Sequence, residues 1–466
     1  MQRLRRRSSV GMPERGAGAR RRGMALDSFE DARVATPLLK QLAWQELELG
    51  VLFHFDLHVY MPGGHEHERS RRVRINPDRY DPVALDTDQW LEAAKAMGAR
   101  YAVFTATHHQ GFLQWQSDAY PFGVKQAPWR GGKGDVVADF VESCRKYDIR
   151  PGVYIGLRFN AHYQVYDYLL NGGKGGSPEE QAAYRRTCER MVTELCTRYG
   201  DWVEVWFDGG LPARSEGGPD AIGIVEEHQP QALFYHSPEL AEHRWAGNEL
   251  GEAQYPCWAT LPSHVAQSRV HRQRESAKQA LVHGDPDGSV WCPAMADAPL
   301  RNHDWCWVPG SAHKLRTVHE LARMYNRSVG HNANLILGAA VNPDGLLDDP
   351  DVELMEALGR ELERRFARPL AEAAGEGTLL EIPVPGRHVD QVVIAEDVAG
   401  GERCRSYVVE GKVERDQWWP LAQGTCIGHK RIHTFDATTV GALRLRITDC
   451  VGTPSIRRFA ASHVGH

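Results

Sequence analysis

Apolar segments of strand length alternate with amphipathic segments along the chain up to about residue 366. The apolar segments are rich in β-branched and aromatic residues, and they predict strands at Gly50–Phe55, Ala99–Thr107, Arg150–Gly156, Val203–Gly209, Ala232–Ser237 and Asn332–Val341. Nearly continuous apolar character is typical of strands that are covered on both faces. The pattern therefore favours a parallel sheet buried inside its domain.

Between these segments the apolar residues recur at helical spacing. After Asp135, a suitable N-cap, one helical face carries Val136, Val137, Phe140, Val141, Cys144 and Tyr147. Ser177, Pro178 and Glu180 supply a cap, a first-turn proline and a capping-box partner for a helix that continues to about Arg198. Further helices are predicted at Thr87–Met97, His313–Ser328 and Asp351–Phe366. Repeated strand–helix alternation favours a (β/α)-barrel over an open sheet.

The pattern changes after residue 367. Segments such as "LLEIPVP", "CRSYVVEG" and "ALRLRITDC" predict short strands separated by turn residues, without intervening helices. The predicted fold is a (β/α)8-like TIM barrel over residues 29–367, followed by a C-terminal antiparallel β-sandwich over residues 368–466. Residues 1–28 are strongly basic and poor in apolar residues, so they are predicted to be disordered.

Composition narrows the functional classes. The net charge of −6 gives no indication of nucleic-acid binding, and no apolar run of about 18 residues predicts a membrane span. The basic start is not followed by the apolar core of a secretory signal, so we expect a cytoplasmic protein or one exported by a route that the sequence does not show. Nine cysteines without CxxC spacing argue against a zinc site and against a complete disulfide framework.

Polar and aromatic residues end the predicted strands. In a (β/α)-barrel the active site is built at the carboxyl ends of the strands. Those positions carry His54, His108, His109, Tyr154, Trp206 and Asp208. Asp208 is either a catalytic carboxylate or a turn and cap residue before Gly209. Both adjacent histidines can reach a pocket if the strand ends or is bulged there, as ligands of a metal or of a hydroxyl-rich molecule.

Several motifs together resemble a known enzyme family. "FTATHHQGFLQWQSDAY", "GKGDVVADFVESCRKYDIRPGVYIG" and "ELCTRYGDWVEVWFDGG" resemble the α-L-fucosidases of glycoside hydrolase family 29. "HRWAGNELGEA" is similar to the segment of the subgroup that cleaves α-1,3 and α-1,4 linkages. The resemblance extends from about Trp44 to about Ala461. It implies a barrel with a following β-sandwich, a fucosylated oligosaccharide or glycoconjugate as substrate, and neither metal nor cofactor.

The resemblance also implies roles for individual residues. Asp208 matches the nucleophile and Glu249 the general acid/base of a retaining glycosidase, which needs two carboxyl groups about 5–5.5 Å apart. The residues implied in sugar binding are His54, Glu66, His108, His109, Tyr154, Trp206, Trp291 and Asp297. Glu68 is an alternative to Glu66 because the surrounding loop aligns poorly. Imidazoles can bond ring hydroxyls, while aromatic faces can cover the C6 methyl group of fucose.

The sequence departs from the family pattern at three places. Thr107 and Gln110 replace a lysine and an aspartate around the histidine pair, and the segment after Phe55 differs from the usual "FIHFG". Met295 stands where a glutamate is usual, within the segment that begins at Trp291. If that glutamate contacts the sugar, the position it serves has become apolar.

These departures leave three alternatives to a fucosidase. One is a glycosidase for a related sugar such as an α-L-galactoside. Another is a non-catalytic carbohydrate-binding barrel, which Met295 motivates. The third is a metal-dependent hydrolase that uses His54 and His58 with the His108–His109 pair, although the sequence lacks a convincing HxH motif and a carboxylate cluster.

Overall fold

A computed structural model describes residues 34–61, 66–235, 242–266, 275–413 and 417–465. The predicted disordered segment 1–28 and residues 236–237 of one predicted strand lie outside this part of the chain. In chain order the strands are β1 (Leu49–His54), β2 (Tyr101–Thr107), β3 (Arg150–Ile155), β4 (Glu204–Trp206), β5 (Leu233–Tyr235), β6 (Arg244–Trp245), β7 (Thr260–Leu261), β8 (Val290–Trp291), β9 (Ala294–Pro299), β10 (Ala333–Ala340), β11 (Ala371–Glu376), β12 (Leu379–Glu396), β13 (Cys404–Lys412), β14 (Trp418–Gly424), β15 (Arg431–Cys450) and β16 (Ser455–Ser462).

The helices of the described residues are α1 (Leu39–Gln45), α2 (His67–Arg72), α3 (Thr87–Met97), α4 (Val136–Tyr147), α5 (Leu170–Gly173), α6 (Pro178–Arg198), α7 (Ala221–His228), α8 (Ser263–Ala266), α9 (Glu275–His283), α10 (Val318–Ser328) and α11 (Asp349–Phe366). The predicted helix from His313 begins too early. Thr317 and Glu320 form a capping box that starts α10, and a short 3-10 turn at Ser311–Lys314 precedes it.

Eight parallel strands form a nearly closed barrel. Their order in the sheet is β5-β4-β3-β2-β1-β10-β9-β6, and each adjacent pair is parallel. Residues 236–241, which lie between the two outermost strands in sequence, are outside the described part of the chain. The predicted (β/α)8-like barrel is confirmed. Its carboxyl-terminal rim is where a pocket is expected.

Side chains on each barrel strand alternate between the barrel interior and the surrounding helices. On β4, Trp206 belongs to the interior core, whereas Val205 and Phe207 belong to the core between the sheet and the helices. Glu204 shares the inward side of Trp206, where the indole Nε1 of Trp44 donates to its Oε2 at 3.1 Å. The period of two carries this inward series past the end of the strand to Asp208.

The C-terminal domain is antiparallel, as predicted. Its strand order is β11-β16-β12-β15-β13-β14. The expectation of uniformly short strands is wrong, because β12 has 18 residues and β15 has 20. The register between these two strands shifts between Pro383 and Arg387 and again between Val389 and Gln391. These irregularities bend long strands, so that both halves contribute to one apolar core.

The two domains meet at the end of the barrel away from the carboxyl-terminal rim. Glu48, directly before β1, accepts a hydrogen bond from Lys430 and lies 2.9 Å from the His429 Nε2 atom. Asn332, directly before β10, accepts from the His429 amide at 2.7 Å. The C-terminal domain thus supports the strand starts and leaves the rim accessible.

None of the described helices has the length and apolar composition needed to cross a bilayer.

Candidate active site

A cavity of about 450 Å³ opens at the carboxyl-terminal rim of the barrel. Strand ends and two long loops supply its walls. The described residues that line it are Leu52, His54, His108, Tyr154, Trp206, Asp208, Glu249, Asp297, His303, Asp304, Trp305, Cys306 and Val308. The structure therefore brings together most of the residues that the sequence singled out, from positions far apart in the chain.

Asp208 lies at the cavity wall, two residues beyond the end of β4. The Tyr154 hydroxyl donates to its Oδ2 atom at 3.3 Å. Burial raises the pKa of Asp208 above its ordinary value, whereas Tyr154 and Arg158 lower it and the charge of Glu249 raises it. Tyr154 and the Gly209 backbone thus hold this carboxyl group at the cavity wall.

The turn after Asp208 explains why a carboxylate follows so apolar a strand. Gly209 and Gly210 have φ of +66° and +75°, in the left-handed region that glycine tolerates best. The next α-helix, α7, is capped by Asp220, whose side chain accepts from the Gly223 amide. Asp208 is therefore not a helix cap, and the glycines turn the chain away from the cavity.

Glu249 lies on the loop after β6 and faces the same cavity. The indole Nε1 of Trp305 donates to Glu249 Oε2 at 2.9 Å. Trp305 also packs against His54, with 5.5 Å between ring centroids. Because an indole N–H is only a donor, this bond fixes the position of the carboxyl group without removing its ability to exchange a proton. Sequence reasoning missed Trp305.

The loop that carries Trp305 is anchored by a buried ion pair. Arg301 donates through Nε and Nη2 to the two carboxylate oxygens of Asp351, at 3.1 and 2.6 Å, near the start of α11. Trp307 donates to Asp348 at 2.9 Å. A two-point pair between an arginine and a carboxylate fixes orientation as well as distance. The loop bearing His303, Asp304, Trp305 and Cys306, all missed by the sequence analysis, is thereby held against the barrel.

His108 reaches the cavity because β2 contains an irregularity. The register between β2 and β3 shifts between Thr105 and Thr107. The extra residue changes which side chain faces inward, as in a β-bulge. His108 consequently lines the cavity, while His109 stacks behind it with 3.9 Å between ring centroids and packs against Phe159 at 5.1 Å.

Trp206 and Asp297 add polar groups to the cavity wall. Trp206 Nε1 is buried and has no acceptor within the described part of the chain. Asp297 accepts from the Trp245 indole at 2.7 Å. Burial raises the pKa of Asp297 to about 7, and the charges of Glu249 and Asp208 act in the same direction. At neutral pH this group can therefore serve as a donor or as an acceptor.

Like His109, the predicted sugar contacts Trp291 and Glu66 are not among the described residues that line the cavity. Trp291 is buried, and its Nε1 atom donates to Gln45 Oε1 at 2.9 Å. Glu66 is exposed and caps α2 by accepting from the Glu68 and Arg69 amides at 3.2 and 2.9 Å. Residues 62–65 beside it are outside the described part of the chain. In this structure both side chains have structural partners instead of facing the cavity.

Met295 also lies away from the cavity wall of the described residues. On β9, Ala294, Ala296 and Ala298 face the helices, whereas Met295 packs in the barrel interior. Asp297, two residues further along the same face, reaches the rim. The methionine therefore fills the barrel interior below the cavity, and it leaves the polarity of the cavity wall unchanged.

Gly338 on β10 makes room for Trp305. A Cβ atom at this position would lie 2.5 Å from the Cε3 and Cζ3 atoms of the indole. We expect Gly338→Ala to displace Trp305 from Glu249. The kcat/KM of the reaction at this cavity should then fall by about 10–100-fold, because small misplacements of reacting groups reduce the rate strongly. Steady-state kinetics against Gly441→Ala, whose new Cβ atom meets its nearest neighbour at 3.8 Å, provides the control. Unchanged kinetics in both variants would contradict the positioning role of Trp305.

The raised pKa of Asp297 predicts a pH-dependent stability. Between about pH 4, where the unfolded carboxyl ionises, and the folded pKa of about 7, the folded protein holds the extra proton, so wild-type stability falls as pH rises. Asp297→Asn removes this dependence, and we expect it to gain up to about 4 kcal/mol relative to wild type between pH 4 and pH 8. Thermal unfolding of both proteins across this range measures the effect. A constant difference would contradict it.

A parallel barrel whose rim gathers carboxyl groups, imidazoles and indoles around one cavity defines a glycoside hydrolase. Comparison with known proteins agrees with this class. Residues 42–365 match the family described as α-L-fucosidase. The chain belongs to the α-L-fucosidase family.

Relatives match over nearly the whole chain. The crystal structure of an α-L-fucosidase homologue from Bacteroides thetaiotaomicron has 41% sequence identity and a TM-score of 0.89, covering 93% of this chain and all (100%) of that chain. Alpha-L-fucosidase 1 of Arabidopsis thaliana is 26% identical over 442 residues, covering 86% of this chain and 81% of the relative. The similarity thus includes both the barrel and the C-terminal domain.

Proposed function

We propose that the protein is a retaining exo-α-L-fucosidase that hydrolyses terminal α-1,3- and α-1,4-linked fucose by double displacement. One observation carries the proposal: Asp208, from a strand end, and Glu249, from a separate loop, line the same cavity. Each also accepts a side-chain hydrogen bond that positions it, from Tyr154 for Asp208 and from Trp305 for Glu249. Two positioned carboxyl groups are what a retaining glycosidase requires.

The reaction has two steps. In the first, an Asp208 oxygen attacks the anomeric carbon and the bond to the leaving oxygen breaks, while Glu249 gives that oxygen a proton. A fucosyl ester of Asp208 results. In the second step Glu249 takes a proton from water, the water oxygen attacks the anomeric carbon, and the ester bond breaks. Fucose leaves with its original anomeric configuration.

The cavity wall supplies groups suited to a single sugar. The buried Trp206 Nε1 atom can donate to a ring hydroxyl, and the His54 and His108 imidazoles provide further donors and acceptors. Below the cavity the barrel is filled by interior side chains such as Met295 and Ile336. A closed floor admits only the terminal residue of a glycan, which supports exo action.

The linkage preference rests on the resemblance of residues 243–253 to the α-1,3/1,4-cleaving subgroup. The alternative of a non-catalytic carbohydrate-binding barrel was suggested by Met295. It is not favoured, because Met295 lies in the barrel interior and both proposed catalytic carboxyl groups are present.

The test is proton NMR of p-nitrophenyl α-L-fucoside hydrolysis, with a panel of α-1,2-, α-1,3- and α-1,4-linked fucosides beside it. We expect α-L-fucose as the first product and faster release from the α-1,3 and α-1,4 linkages. First formation of the β-anomer would contradict the retaining mechanism. Preferential cleavage of p-nitrophenyl α-L-galactoside would contradict fucose as the natural sugar.

A further inference from the structure

A cluster of metal-ligating side chains lies at one side of the cavity. Potential ligand atoms of His58, His108 and Cys306 all lie within 4.8 Å of one another, and all three side chains are buried. The rings of His58 and His108 are 5.4 Å apart between centroids. The proposed hydrolysis assigns no step to His58 or to Cys306. Their presence beside the reaction centre therefore needs another explanation.

A buried carboxyl group stands behind this cluster. Asp56 is fully buried, and its Oδ2 atom lies 3.5 Å from the Nδ1 atom of His58. Its other oxygen, Oδ1, meets no hydrogen-bond donor in the part of the chain that the structure describes. In this position Asp56 can orient the His58 ring by accepting from its Nδ1–H group.

We propose that His58, His108 and Cys306 form a binding site for Zn²⁺ or a similar thiophilic divalent cation, with Asp56 as the outer partner of His58. Imidazole nitrogen and thiolate sulfur are both zinc ligands, and three protein ligands leave the fourth position to water or another ligand. Contact of Nδ1 with Asp56 assigns Nε2 of His58 to the metal. Carboxylate–histidine–metal relays of this kind orient the ligand and increase its basicity.

The distances allow the site to form with small movements. Zinc bonds of about 2.0–2.3 Å place the ligand atoms of a tetrahedral site about 3.3–3.7 Å apart. The present separations, up to 4.8 Å, require the side chains to close by about 1 Å. His108 and Cys306 line the cavity, so an ion from solvent reaches them directly. An ion bound there would lie at the wall of the cavity that Asp208 also lines.

This position predicts mutual exclusion between zinc and sugar. Zinc bound to His108 and Cys306 takes up part of the cavity wall that a terminal fucose would contact. We expect Zn²⁺ to inhibit hydrolysis and fucose to weaken zinc binding. This consequence rests on the proposed function, whereas the metal site itself does not.

The test uses the full-length, chelator-treated protein. Titration with Zn²⁺ against a fluorescent zinc indicator should show one tight site, and Co²⁺ should give the near-ultraviolet charge-transfer band of a thiolate ligand. In Cys306→Ser and in His58→Gln we expect the zinc affinity to fall at least about 100-fold and the cobalt band to weaken or disappear. Asp56→Asn should lower the affinity by about 10–100-fold.

Cys450→Ser is the matched control, because Cys450 is an unpaired, half-buried cysteine of the C-terminal domain. It should bind zinc as the wild type does. Thermal unfolding identifies any variant that does not fold, and the two ligand variants test the site independently. Absence of a tight zinc site in the wild type, or full retention of the cobalt band in Cys306→Ser, would overturn the proposal. Intact zinc binding that fucose does not weaken would contradict the proposed sugar site and leave the metal site standing.

Discussion

We expect Asp208→Ala to lower kcat at least about 10³-fold on every α-L-fucoside, including substrates with good leaving groups. The reason is that no other described carboxylate follows the end of β4, where the strand positions the carboxyl group that is proposed to attack. The Tyr154 hydroxyl donates to the Oδ2 atom of this group. Steady-state hydrolysis of p-nitrophenyl α-L-fucoside and of an α-1,3-linked fucoside measures the loss. Asp201→Ala, an exposed aspartate just before the same strand, should keep wild-type rates.

Rescue of activity by azide distinguishes the loss of the nucleophile from the loss of the folded structure. In Asp208→Ala the small anion can enter the space of the missing carboxylate and attack the anomeric carbon, while Glu249 still protonates the leaving oxygen. The expected product is the fucosyl azide of inverted, β configuration, identified by NMR. Near-normal activity of Asp208→Ala without azide would show that another group is the nucleophile.

The position of Asp208 could be predicted because its cause is local. Alternation along β4 places Trp206 inward and Phe207 outward, and the same period extends to Asp208. Most helices were predictable for the same reason. Thr87–Met97 and Pro178–Arg198 are observed with the predicted bounds, since capping residues and apolar spacing determine both.

Features that depend on distant contacts could not be predicted. The bond between Trp305 and Glu249 joins residues 56 positions apart in sequence and requires Gly338 of another strand. Trp291 belongs to a family motif, yet its indole is bonded to Gln45 of α1. Nothing in the local sequence distinguishes such an indole from one that lines a cavity.

Short strands and the proposed metal cluster illustrate the same limit. β6 and β8 have two residues each, too few for any periodic pattern. The absence of CxxC spacing argues against a zinc site, but the proposed ligands come from a 3-10 helix after β1, the end of β2 and the loop after β9. Spacing rules detect sites whose ligands are close in sequence, whereas a barrel rim assembles ligands from many strands.

Glu249→Ala is expected to affect substrates according to their leaving groups. General acid catalysis contributes about 10²–10⁴-fold, so kcat/KM for an α-1,3- or α-1,4-linked fucoside should fall by that factor. For p-nitrophenyl α-L-fucoside the loss should be much smaller, because a nitrophenolate leaves with little protonation. Glu227 is an exposed glutamate of α7, and Glu227→Ala is the control. It should leave kcat/KM unchanged for both kinds of substrate.

The second chemical step gives Glu249→Ala a distinct signature. Without the carboxylate that activates water, we expect the fucosyl ester of Asp208 to accumulate when the aryl fucoside is the substrate. Azide needs no general base, so it should speed the breakdown of this ester. Because Asp208 still forms the ester, the product should be the fucosyl azide of retained, α configuration. Equal losses on aryl and natural fucosides, with no response to azide, would exclude Glu249 as the acid/base. The opposite configurations expected from the Asp208 and Glu249 variants thus assign the two carboxyl groups independently.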